Sequence, residues 1–81
     1  MEVRVLAFAR LREVLGFGER RVDLAAPATL DDLWATLAGA QPEAARLRAS
    51  TRFARNGVIA DGATAVGDGD EIALLPPVGG G

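Results

Sequence analysis

Thr29-Leu30-Asp31-Asp32-Leu33-Trp34-Ala35-Thr36-Leu37-Ala38-Gly39 decides the fold. Thr29 with Asp32 three positions on is a capping-box start, and the paired acids suit the positive end of a helix dipole. Leu30, Leu33, Trp34, Leu37 and Ala38 then recur at i, i+3, i+4, i+7 and i+8, one apolar stripe wide enough to cover a sheet. The spacing predicts a main helix over residues 30–39, with Trp34 in the core.

On the N-terminal side, Val3, Val5, Ala7 and Ala9 alternate with Arg4, Leu6, Phe8 and Arg10, predicting a strand over 2–9. Leu11, Val14 and Leu15 fit a short helix stopped by Gly16. Val22 and Leu24 mark a second strand over 19–24. On the other side, Pro42 opens a short helical turn reaching Arg48, anchored by Leu47. Asn56-Gly57 is a two-residue hairpin signal between β-compatible runs at 52–56 and 58–60. Asp61-Gly62 and Asp68-Gly69 read as turns, and Glu71 to Leu75 as a final strand ended by Pro76-Pro77. This order implies an α+β protein: a mixed sheet of β-grasp (ubiquitin-like) type with one main helix on one face. The last strand is expected centrally beside the first, dividing the chain into a domain at 1–75 and an extended, flexible tail at 76–81 with a Gly-Gly end.

The 81 residues suffice for one domain, and the net charge of −2 offers no general basic field for nucleic acid. No apolar run approaches the roughly 20 residues of a membrane span, and Met1 to Val5 reads as strand, not as a signal segment; a cytoplasmic location is expected. Cysteine and histidine are absent, which removes disulfides, thiolate nucleophiles, the usual zinc sites and the commonest general base. All nine basic residues are arginine. A GC-rich genome accounts for that bias, yet an activated C-terminus would meet no lysine of its own chain.

The tail carries the chemistry that remains. Pro76-Pro77 stiffens its base, and Gly79-Gly80-Gly81 lets another protein's backbone close around it. Six extended residues reach roughly 20 Å, enough to bring a carboxylate into a partner's active site; a frayed glycine-rich end is the plainer alternative. If Ile72 and Leu74 face the helix, then Leu75, Ala73, Leu6 and Phe8 face away, and Phe53 or Ile59 extends that apolar patch into a footing for a partner. A one-residue error would exchange the two faces. Asp61, Asp68, Asp70 and Glu71 lack a calcium-loop pattern, so no metal is expected. Gly16-Phe17-Gly18 has neither a third glycine nor a Walker lysine, and Ser50 has no histidine partner.

Phe8-Ala9-Arg10-Leu11-Arg12-Glu13, Asn56-Gly57, Asp68-Gly69-Asp70-Glu71 and Pro76-Pro77-Val78 before Gly80-Gly81 together resemble the molybdopterin synthase small-subunit family, within the ubiquitin-like sulfur carriers. Gly79 departs from the Ser, Ala or Thr common there. The resemblance implies a subunit that is not catalytic alone and binds no cofactor. A ubiquitin-activating-like adenylyltransferase would use ATP and Mg²⁺ to adenylate Gly81, and a sulfur-donor enzyme would supply the sulfur of its thiocarboxylate. The tail residues Pro76, Pro77, Val78, Gly79 and Gly80 would enter a channel in the large synthase subunit, within a heterotetramer, and deliver sulfur to a cyclic pterin precursor. Phe8, Ile59 and Leu75 fall at docking positions. Thiolation of a thiamine precursor or tRNA, protein modification, and a ubiquitin-like interaction module with an inert tail are the alternatives.

Overall fold

The computed structural model describes residues 1–39 and 41–77. Its elements are β1 (Glu2–Ala7), α1 (Ala9–Leu15), β2 (Glu19–Asp23), α2 (Leu30–Ala38), α3 (Pro42–Arg46), a 3₁₀ turn at Arg48–Ser50, β3 (Arg52–Arg55), β4 (Val58–Ala60) and β5 (Glu71–Leu75). The strands form one sheet in the order β2-β1-β5-β3-β4. β5 is parallel to β1 and antiparallel to β3, and the other two pairings are antiparallel. The final strand therefore lies in the middle, as expected, and the sheet is mixed.

The predicted helix is α2, ending one residue early at Ala38. The Asp32 amide donates to the Thr29 hydroxyl at 3.2 Å, and the Thr29 amide donates to the Asp32 carboxylate at 2.8 Å, completing the capping box. Leu30, Leu33, Trp34 and Ala38 are buried, facing Val3, Val5 and Ala7 of β1 and Ile72 and Leu74 of β5 in a single core. Full burial of Leu30 or Leu33 contributes about 1.5–3 kcal/mol each. Asp31 anchors the helix start from outside: its carboxylate accepts from Arg48 Nη2 at 2.7 Å and Nε at 3.1 Å, and the Arg48 guanidinium sits 4.5 Å from the Phe53 ring centroid.

Two elements end two residues short of the sequence expectation. β1 stops at Ala7, not at residue 9, because Ala9 takes a left-handed φ of 51° and turns the chain straight into α1. The Phe8 carbonyl accepts from the Leu11 and Arg12 amides at 3.1 and 3.3 Å, so Phe8 is the N-cap of that helix. α3 closes at Arg46, and the Leu47 amide returns to the Ala44 carbonyl before the 3₁₀ turn. The Asn56-Gly57 hairpin holds: both residues have positive φ (50° and 84°), the pattern of a type I′ turn.

Candidate functional site

The site is built where β5 leaves the sheet. The pairing register lines up Leu6, Ala73, Ala54 and Ile59 across β1, β5, β3 and β4. All four point away from α2, since their strand neighbours Val5, Ile72, Phe53 and Leu74 are the ones packed in the core beneath the helix. Three strand spacings make this apolar row roughly 14 Å long. The next row toward the tail contains Leu75, whose register partner on β3 is Arg52. On the β1 side it contains Phe8, which continues the alternation with extended backbone (φ −125°, ψ 155°).

Phe8 is 45% exposed and Ile59 59%, while Leu75 is half-buried. The three expected docking positions thus share the helix-free face with Leu6 and Ala73. Phe53 does not join them. It pairs with Leu74, points inward at 2% exposure, and meets Trp34 edge-on with ring centroids 6.4 Å apart. Val58, though 69% exposed, lies on the other face in the row of Ile72 and Arg55.

The opposite half of the helix-free face is charged. Arg4 bridges Glu19 at 2.9 Å and Glu71 at 3.4 Å, and Arg21 approaches Glu2 at 3.9 Å. These exposed pairs contribute little stability each; their consequence is a polar boundary that confines the apolar band to the tail end of the sheet.

Beside that band Pro76 and Pro77 close over a recess of about 210 Å³ with Arg10, Leu11, Leu47, Ser50 and Thr51. Sequence reading missed this recess and two cations at the tail root, Arg10 in its lining and Arg52 opposite Leu75. The signal available was Leu47, an apolar residue in a weak helix. Val78, Gly79, Gly80 and Gly81 lie outside the described residues.

The two turn motifs join into one polar unit that fixes the start of β5. The Asp70 carboxylate accepts from Arg55 Nε at 2.6 Å, the Gly67 amide at 2.6 Å and Asn56 Nδ2 at 3.0 Å. The Asn56 side-chain carbonyl in turn accepts from the Glu71 amide at 2.9 Å. Asp68 accepts from the Glu2 amide at 2.7 Å. The acids singled out in the sequence are therefore spent on backbone and guanidinium partners, and Asp61 likewise caps the Ala63 amide at 2.9 Å.

The Arg55 hydrogen bond, helped by Asn56 and Gly67 against the opposing effect of burial, lowers the Asp70 pKa from 3.8 to about 2. A folded-state pKa below the unfolded one gives stability that is full above pH 3.8 and is lost as the pH falls toward 2. With allowance for solvent screening the contribution is about 1–2 kcal/mol. Asp70→Asn is expected to lower the midpoint of urea unfolding at pH 7 and to flatten its pH dependence between pH 4 and 2; an unchanged acid limb would show that Asp70 does not drive it.

This arrangement, a central last strand delivering a stiff proline pair beside an apolar band, coincides with a family match. Residues 5–81 match the ThiS family. The chain belongs to the ThiS family. The molybdopterin synthase sulfur carrier subunit of Chlamydomonas reinhardtii is 37% identical over the full length of both chains. Small archaeal modifier protein 1 of Haloferax volcanii is 39% identical, with 91% of this chain and 94% of the relative covered. The ubiquitin-like β-grasp fold is shared with solved structures. In the complex of subunits 1 and 2 of the molybdopterin-converting factor from Helicobacter pylori, the matched chain is 26% identical, with a TM-score of 0.70 over the whole of both chains.

Proposed function

We propose that this chain is the sulfur carrier of molybdopterin synthesis, working through the Gly81 carboxylate. The observation that supports the reading most is its end-to-end similarity to a sulfur carrier subunit, combined with a β5 that terminates at Leu75 next to exposed Phe8. On an adenylyltransferase partner the Gly81 carboxylate attacks the α-phosphorus of ATP, an O–P bond forms, pyrophosphate leaves and an acyl adenylate results. A sulfide equivalent from a donor enzyme then adds to the acyl carbon and AMP departs, giving the thiocarboxylate. Within the large subunit that sulfur passes to a cyclic pterin precursor, twice for a dithiolene. Phe8, Leu75 and Ile59 hold the large subunit on the helix-free face, while Pro76 and Pro77 direct residues 78–81 into its channel. ATP and Mg²⁺ belong to the activating partner, and the acids and bases of the transfer belong to the large subunit.

A second reading is favoured by the modifier relative from Haloferax volcanii: the same activated end acylates a lysine of a target protein. Both readings share activation and differ in acceptor. Incubation with a cognate activating enzyme, ATP and a sulfur donor tests the first. The intact mass should rise by the exchange of one oxygen for one sulfur. An unchanged mass, with the enzyme proven competent on another carrier, would sink the carrier reading.

A further inference from the structure

An activated acyl end reacts with whichever nucleophile reaches it first, and the first within reach are those of its own chain. The sequence contains no lysine, cysteine, histidine or tyrosine, leaving the hydroxyls of Thr29, Thr36, Ser50, Thr51 and Thr64 as side-chain nucleophiles. Every one is engaged. Thr29 accepts from the Asp32 amide at 3.2 Å, Thr36 donates to the Asp32 carbonyl at 3.1 Å, and Thr64 donates to the Asp61 carboxylate at 3.4 Å. Ser50 and Thr51, which line the recess under the proline pair, both donate to the Leu47 carbonyl, at 3.2 and 2.7 Å. The Met1 amino group donates to the Leu24 carbonyl at 2.7 Å. The parallel pairing of β1 with β5 sets that amine at the far end of the sheet from Pro76, roughly 20 Å along six residues of strand.

The cations at the tail root are arginines. Arg10 lines the recess with Pro76 and Pro77, and Arg52 stands opposite Leu75. Four residues beyond Pro77 span roughly 13 Å, enough to fold an acyl end back onto either side chain. A guanidinium stays protonated and does not attack acyl carbon, whereas a lysine at the same place would present a fraction of free amine.

We propose that the chain is a self-inert acyl donor. Arg10 and Arg52 supply positive charge beside the tail without supplying a nucleophile, so an activated Gly81 passes only to a nucleophile that a partner brings. Conjugates then carry single copies of this protein. The inference rests on the reading that Gly81 is activated.

Its test needs no activating enzyme. The full chain, Arg10→Lys and Arg52→Lys are each produced with Gly81 as a small-molecule thioester, released from an intein by a thiol, with circular dichroism confirming the fold. In the lysine variants the ε-amine attacks the thioester carbon, a C–N bond forms, the C–S bond breaks and the thiol leaves with the amine's proton. The product is lighter than the free acid by one water. The variants should lose thioester roughly tenfold faster than the parent, which should yield only the hydrolysed acid. Internal esters, internal amides or multimers from the parent chain would overturn the proposal, as would lysine variants that yield only acid at the parental rate. Because the thioester is installed chemically, these outcomes are independent of adenylation, whose failure would appear only in the oxygen-to-sulfur mass experiment.

Discussion

Deletion of Gly81 is expected to abolish sulfur loading while leaving the melting temperature of the domain unchanged. The shortened chain still ends in two glycines, Gly79-Gly80, so the experiment separates tail length from tail composition. Removing one extended residue draws the carboxylate back by roughly 3.3 Å, and an ångström of misplacement at a reacting centre costs on the order of a hundredfold. Mass spectrometry after incubation with the activating enzyme reads the loading, and thermal unfolding reads the fold. Loading at the normal rate would show that the terminal residue is not the acyl donor. A lowered melting temperature would show that residue 81 packs on the domain.

Phe8→Arg is expected to weaken binding of the large subunit by roughly a hundredfold, the loss typical of a central apolar anchor. Phe8 is 45% exposed and its backbone, not its ring, caps α1, so the fold should tolerate the change. The substitution also puts a cation at the tail end of the apolar band, in the row that holds Leu75 and Arg52. Calorimetric titration against the large subunit, with a parallel melt of the isolated chain, gives the answer. Unaltered affinity would move the docking surface elsewhere, and a collapsed melt would place Phe8 in the core.

The elements governed by local chemistry were legible in the sequence. The Thr29/Asp32 capping box, the Leu30 to Ala38 stripe, the Asn56-Gly57 turn and the proline stop after Leu75 each depend on neighbours within a few residues. The face of Phe53 was not legible. Arg52-Phe53-Ala54-Arg55 alternates over too few positions to choose a side, and only pairing with Leu74 turns the ring inward. The left-handed Ala9 was hidden for another reason: nothing in Ala-Arg-Leu announces a positive φ, as glycine or asparagine would. It shortened the first strand by two residues yet left Phe8 on its expected face. Arg10 and Arg52 read as ordinary solvated charges because they sit far apart in sequence. The fold brings each to the tail root separately, Arg10 to the recess under the proline pair and Arg52 to the register position opposite Leu75. Asp70 likewise looked like turn chemistry, and its role in clamping the hairpin to β5 appears only in three dimensions.

The parallel pairing of β1 with β5 also has a mechanical consequence. A partner that draws on the tail pulls β5 along its own axis, while β1 and β3 hold it from either side. Force applied that way shears the inter-strand hydrogen bonds together instead of unzipping them one at a time. The strand that bears the tail is thus held against extraction from both sides, and a pull on its end is borne by the sheet while the domain stays folded.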